Sequence, residues 1–338
     1  MKKHATIKDI ARELDISTST VSRALSDRYD VNPGTKTLVL ETAKRMNYHP
    51  NPMAVGLIKR KSNTIGLVVP ELLNAFFPTI IHGIQPIINQ CGYHLLITDS
   101  NESAEMEANN LRLLENNMVE GILISTTADN NQNYPLYQEL INSGIPMVFF
   151  NRVCNEVSAP KIIICDRKMS FFAVEHLIYS HYKKIAHLAG PPDLVLSKER
   201  KGGYIDALTK HHIPVDEHII KTAGIFIDDG FEAMNNLLDT GQDIDAIFAF
   251  NDPVAIGAMR AIKKRGLKIP EDIAVVGFSE SSLAQIVEPN LTSVAQPLKV
   301  IGQTAAELIL KLIRGEHVDN TIIELEAKLN VRDSSLKK

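Results

Sequence analysis

The sequence predicts two unlike parts: a small all-α helix-turn-helix headpiece, and an α/β body of two doubly wound parallel-sheet lobes. Three observations carry the prediction. From Asn63 onward, short apolar segments bounded by turn residues alternate with helix-length segments whose apolar positions recur every three or four residues. Before Asn63, two amphipathic stretches with helix-capping residues stand a few residues apart. Charge divides at the same place: residues 1–62 carry twelve Lys or Arg against six Asp or Glu, whereas the remainder carries 24 against 34. The net charge of -4 hides that split. A basic head on an acidic body implies a polyanionic partner for the head alone.

In the head, "TIKDIARELDISTSTVSRALSD" (Thr6 to Asp27) places Ile7, Ile10, Ala11 and Leu14 on one helical face, turns at "DIS", and places Val21, Ala24 and Leu25 on a second. Thr6 and Ser17 stand where each helix needs a side-chain oxygen for its unpaired backbone N–H groups. Two short helices so joined make a helix-turn-helix. The second exposes Thr18, Ser19, Thr20, Ser22 and Arg23 near its start, with Ser26 just beyond. Small hydroxyls permit close approach to a DNA major groove, and Arg23 has the fork that grips guanine O6 and N7. The alternative is that these hydroxyls serve only as caps.

In the body, "TIGLVV", "YHLLITD", "GILIS" and "PMVFF" read as buried parallel strands of a first lobe, and "KIIICD", "KIAHLAG", "DAIFAF" and "IAVVGF" as those of a second. Such lobes enclose a cleft lined by the carboxyl ends of their strands. At 338 residues and 44% hydrophobic content the chain suffices for two or three domains with real interiors.

Little points to catalysis. The chain has no GxGxxG or GxxxxGK[ST] loop, no HExxH and no GxSxG, and the adjacent His211 and His212 suit a helix surface better than a metal site. No cofactor is expected. Cys91, Cys154 and Cys165 are far apart and without a CxxC pair, which suggests reduced structural thiols. The start "MKKHATIKDIARELD" is interrupted by charges before any signal-length apolar run, so a cytoplasmic location and no membrane partner are expected.

Taken together, "TIKDIA", "STSTVSRAL", "YHPN", "IGLVVP", "AFNDPVAIGAMRAI", "IPEDIAVVGF" and "PNLTSVAQP" make the chain resemble the lactose-repressor (LacI/GalR) family of bacterial transcription regulators over essentially its whole length. The resemblance implies a DNA-reading headpiece (1–48), a hinge (49–62) and a periplasmic-binding-protein-like body. The body's first lobe would span 63–162 plus 293–320, and its second 163–292 plus 321–338. It further implies a homodimer on a double-stranded, palindromic operator, answering to a small-molecule effector. In the hinge it implies a helix formed on DNA, with Leu57 as a minor-groove wedge, Ala54 against the partner hinge, and Tyr48 and Asn51 marking the register. The effector contacts implied are Phe76, Phe77, Asn151, Arg200, Asn251, Ser279 and Gln296. Either phenylalanine alternatively belongs to the core, and Arg200 to a helix surface.

Many relatives carry Asp where this chain has Asn151 and Ser279, which removes two negative charges near Arg200. An unbalanced arginine favours an anionic effector such as a sugar acid or sugar phosphate, unless Glu280 supplies the missing carboxylate. Rival readings are a regulator controlled by a protein partner, a solute-binding protein and an enzyme using the cleft. The end "NVRDSSLKK" shows no leucine heptads, so a dimer is expected rather than a coiled-coil tetramer.

Overall fold

The computed structural model describes residues 5–26, 31–48, 61–127, 130–319 and 321–337. Contacts divide the chain into two units, residues 1–62 and 63–338.

The first unit holds α1 (Ile7–Glu13), α2 (Thr18–Leu25) and α3 (Pro33–Arg45). Thr6 and Asp9 form a capping box on α1, and Ser17 caps α2 by accepting from the Thr20 N–H. The third helix starts on Asn32, which accepts from the Gly34 N–H, with Pro33 at its first position. Ile10, Ala11, Val21, Ala24, Val39 and Ala43 form the buried centre, so α3 closes a core that two helices alone leave half open.

In the body, β1 (Thr64–Val69), β2 (His94–Asp99), β3 (Gly121–Ile124), β4 (Met147–Phe150), β5 (Lys161–Ile163) and β11 (Ile322–Glu324) form one parallel sheet in the order β11-β5-β4-β3-β1-β2. A second sheet runs β12-β10-β9-β8-β6-β7. It contains β6 (Ile185–Ala189), β7 (Ile220–Thr222), β8 (Ala246–Ala249), β9 (Ala274–Ser279), β10 (Thr292–Ala295) and β12 (Lys328–Asn330). Among the described residues, only β12 is a strand antiparallel to its neighbour.

Helices cover both faces of each sheet, which explains why the central strands are buried end to end. On the first sheet these are α4 (Phe76–Gln90) and α11 (Leu298–Ile313) on one face, α5 (Ala104–Asn116) and α6 (Asn130–Asn142) on the other. On the second, α7 (Asp166–Tyr179) and α8 (Val195–Lys210) oppose α9 (Ile227–Asp239) and α10 (Asp252–Lys264).

One helix pair in each lobe crosses backbone to backbone through reciprocal glycines. A Cβ on Gly83 of α4 would strike the Lys299 carbonyl of α11, and one on Gly302 would strike that of Ile80. Gly230 and Gly257 make the same arrangement between α9 and α10.

The pairings relocate three boundaries. "KIIICD" belongs with the first lobe, because Phe149 and Phe150 pair with Lys161 and Ile162; the chain crosses at Ile164 and Cys165. The β10 strand stays in the second lobe on β9, so the return falls at Gln296 and Pro297 rather than before residue 293. The β11 strand pairs with β5, so the last crossing lies at 325–327 rather than at 321. These short strands lie at or near sheet edges, where the apolar pattern is weakest.

Candidate functional site

In the head, the hydroxyls of Ser17, Ser19 and Thr20 form one hydrogen-bonded set at the start of α2, with oxygens 2.7 and 2.8 Å apart. Thr18, Ser19, Arg23 and Ser26 are exposed, and Thr20 and Ser22 half-buried. Arg23 Nε donates to the Ser19 carbonyl at 3.3 Å, which lays the guanidinium back along the same helix. Thr6 acts at the α1 cap. Tyr48 packs on the head's core, and that burial pushes its phenol above the ordinary value. Asn51, Ala54 and Leu57 lie outside the described residues.

In the body, a cavity of about 340 Å³ opens between the lobes. Its position follows from topology: β1, β4, β8 and β9 end at it, delivering Glu71, Asn151, Asn251 and Ser279. Phe76, Phe77 and Arg200 also line it, so six of the seven implied contacts converge. Gln296 stands one step behind, its Nε2 donating to Ser279 Oγ at 3.4 Å. Phe76 and Phe77 meet edge to face with centroids 5.1 Å apart; Phe77 also belongs to the first lobe's core. Asn151 and Ser279 both adopt positive φ, at 58° and 113°, so sharp turns carry them off their strands into the cleft.

The premise of an unbalanced arginine is overturned. Arg200 is 2% exposed and donates through Nε to Asp166 at 2.7 Å and through a terminal nitrogen to the Phe250 carbonyl at 2.6 Å. Its face lies 3.7 Å from the Phe278 ring centroid. Burial pushes the Asp166 carboxyl up, and the adjacent Arg200 opposes that rise. Glu280 does not serve as a replacement partner either, since both its oxygens are taken by Arg332 from the chain's tail. The charge deficit inferred from Asn151 and Ser279 is therefore filled by Asp166 at the start of α7, and the case for an anionic effector falls with it.

Asn251 and Asp252 divide their work. Asn251 caps α10 through Oδ1 on the Val254 N–H and donates Nδ2 to the Ile225 carbonyl, both at 2.9 Å. Asp252 is fully buried beside the cavity and accepts from the Ser281 N–H and Ser293 Oγ, each at 2.5 Å. Burial pushes its carboxyl up to about 6. The side-chain amide of Asn151 has no hydrogen-bond partner among the described residues, so it is available to a ligand.

Sequence reasoning missed Glu71 and Arg152 in the wall, Asp166 behind it, and the Arg152–Glu102 pair at 2.7 Å. These partners lie 34 to 50 residues apart, and no local spacing announces them.

Comparison with known proteins agrees with this architecture. Residues 6–51 match the family described as bacterial regulatory proteins, lacI family, and residues 62–331 that of periplasmic binding proteins and sugar binding domain of LacI family. Catabolite control protein A of Priestia megaterium is 32% identical over 98% of the chain and 99% of its own length. The lac repressor dimer bound to operator and an anti-inducer superposes with a TM-score of 0.85 at 27% identity, covering 99% of this chain and 100% of the other. The regulator CelR in complex with cellobiose gives 0.74 at 30% identity, covering 98% and 99%. Among the described residues no helix is long and apolar enough to cross a membrane.

Proposed function

Since this chain belongs to the lacI family of bacterial regulatory proteins, we propose that it represses carbohydrate-utilisation genes as a homodimer whose hold on a palindromic operator is set by a sugar between its lobes. One observation carries the reading. A single chain joins a capped helix with an exposed hydroxyl-and-arginine surface to a cleft walled by both lobes.

On DNA, Thr18, Ser19 and Arg23 contribute base choice, and the basic head contributes salt-dependent phosphate attraction. The family resemblance assigns Asn51, Ala54 and Leu57 to the DNA-contacting hinge, with Leu57 as the minor-groove wedge. In the body, Asn151, Arg200, Asn251 and Ser279 offer donors and acceptors to hydroxyls while Phe76 and Phe77 supply apolar faces. Binding and release suffice for this role, so the cleft needs no catalytic step. The protein works in the cytoplasm, where its operator is.

Operator and effector are coupled reciprocally: a sugar that weakens operator binding is itself held less tightly by the operator-bound protein. The test is fluorescence anisotropy with DNA from upstream of its own and adjacent genes, titrated with a sugar panel. Sequence-specific, salt-dependent binding that shifts with at least one sugar is expected. A variant lacking residues 1–62 should lose the DNA and keep the sugar. Specific DNA binding indifferent to every sugar would remove the sugar part of the reading.

A further inference from the structure

The strand β9 runs into a turn that side-chain-bearing residues rarely adopt. Ser279 has a φ of 113° and Glu280 one of 55°, two consecutive left-handed positions without a glycine. Such backbone persists only where its surroundings hold it. The same turn supplies Ser279, Glu280, Ser281, Ser282 and Leu283 to the wall of the cavity between the lobes. Whatever holds the turn therefore shapes one side of that cavity.

Two clamps hold it. From within the second lobe, Asp252 accepts from the Ser281 N–H and from Ser293 Oγ, and Ser293 Oγ in turn accepts from the Glu280 N–H at 3.1 Å. From the tail, Arg332 grips the Glu280 carboxylate with both terminal nitrogens, one to each oxygen. The nitrogen that meets Oε2 at 3.0 Å also donates to the Leu291 carbonyl at 2.7 Å. Gln285 Nε2 adds a donor to the same carboxylate at 3.2 Å. The Arg332 and Glu280 side chains are 19% and 14% exposed, against 53% and 42% for the surface pair Arg167 and Asp206. A shielded, two-pronged pair of this kind fixes direction as well as distance.

The arm has a firm base. The Arg332 N–H donates to Thr292 Oγ1 at 2.8 Å, while Ser334 Oγ accepts from the Thr292 N–H at 2.8 Å and donates to the Val275 carbonyl at 2.6 Å. Ser334 and Ser335 are fully buried. The tail is thus fastened to β9 and β10, and Arg332 reaches from it to the turn in which β9 ends. Arg332 itself stands outside the cavity wall.

We propose that Arg332 is a positioning residue for the effector: acting through Glu280, it keeps the Ser279–Leu283 turn in its left-handed shape, so that the tail sets sugar affinity without touching the sugar. The inference rests on the sugar-effector reading above. Without the fork, the turn relaxes toward ordinary negative φ and carries the Ser279 hydroxyl away from Gln296 and the cleft. A tail that served only to brace the second lobe would instead move stability and sugar affinity together.

The test is calorimetric titration of the full-length protein with glucose, galactose, ribose and cellobiose, following the tightest-binding of the four through each variant beside thermal unfolding. Arg332→Ala should weaken that sugar by about tenfold or more, the scale on which one released backbone strain acts. Arg332→Lys, which keeps the charge and loses the planar fork, should retain part of the affinity. Glu280→Gln should also weaken the sugar, and adding Arg332→Ala to it should cost far less than Arg332→Ala alone, because the two share one contact. Ser335→Ala cuts the tail's bonds to Thr292 and to His176 of α7 but leaves the fork; it should lower thermal stability with sugar affinity unchanged. Sugar affinity unmoved by Arg332→Ala, or weakened as much by Ser335→Ala, would overturn the positioning role and leave the sugar reading standing. Full additivity of Glu280→Gln and Arg332→Ala would do the same. Should Arg332→Ala fail to fold, Arg332→Lys takes its place in both comparisons with the same two outcomes. None of the four sugars bound by the unmodified protein would overturn both readings.

Discussion

Arg200 and Asp166 meet at 2.7 Å with side chains 3% and 6% exposed, one from the second turn of α8 and the other from the first residue of α7. Their pairing locks two helix starts together immediately after the first lobe crossing. It also fixes a guanidinium face against Phe278.

Removing one member strands the other as an uncompensated buried charge. Asp166→Ala should lower the body's unfolding free energy by about 3–5 kcal/mol, read by urea denaturation. The exposed Arg167–Asp206 pair one residue along is the comparison, and Arg167→Ala should change stability little or not at all. Equal effects from the two would refute the buried pair's role.

Asp252 gives a pH signature. Its folded-state carboxyl sits near 6 because of burial, against about 3.8 in the unfolded chain. Between these values the folded state binds more protons, so this group's contribution to stability falls as pH rises from about 4 to about 6 and is constant above. The change amounts to ~3 kcal/mol. Relative to Asp252→Asn, the unmodified protein should therefore lose stability across that window, and thermal melts of both at several pH values will show it. A difference that is flat with pH would contradict the assignment.

Gly83→Ala tests the helix crossing. The added methyl meets the Lys299 carbonyl of α11, so α4 must move away or the backbone must bend. A loss of about 1–3 kcal/mol in body stability is expected. Ala at Gly92, where a Cβ meets nothing but φ is +79°, separates collision from backbone strain. Gly83→Ala should also distort the α4 start, where Phe76 and Phe77 stand, and so weaken sugar binding more than Gly92→Ala does.

On the DNA side, Arg23→Ala should raise the operator dissociation constant by about 5- to 150-fold and relax base choice, at the ~1–3 kcal/mol scale of one bidentate base contact. Leu57→Ala should weaken operator binding while sugar affinity and the body's thermal stability stay unchanged. Operator affinity unaltered by Leu57→Ala would remove the wedge.

The two-part organisation was legible because capping and periodicity are local signals. Thr6 and Ser17 cap the helices their positions suggest, and the central strands coincide with the apolar runs within a residue or two. The mouth of the cleft was legible too, since Asn151, Asn251 and Ser279 each end a readable strand. The third head helix, the edge strand β7, and β10 to β12 were not. They are short or weakly patterned, and their placement depends on which neighbour they pair with.

What the sequence determined by itself is therefore which segments become helices and strands and which residues stand at strand ends, because those follow from the order of neighbours along the chain. Tertiary structure alone decided that Arg200 is neutralised by Asp166 and that Asp252 holds Ser281 and Ser293. Each of those depends on charge and hydrogen-bond partners brought within a few ångströms by folding, and distance through space is not encoded in distance along the chain.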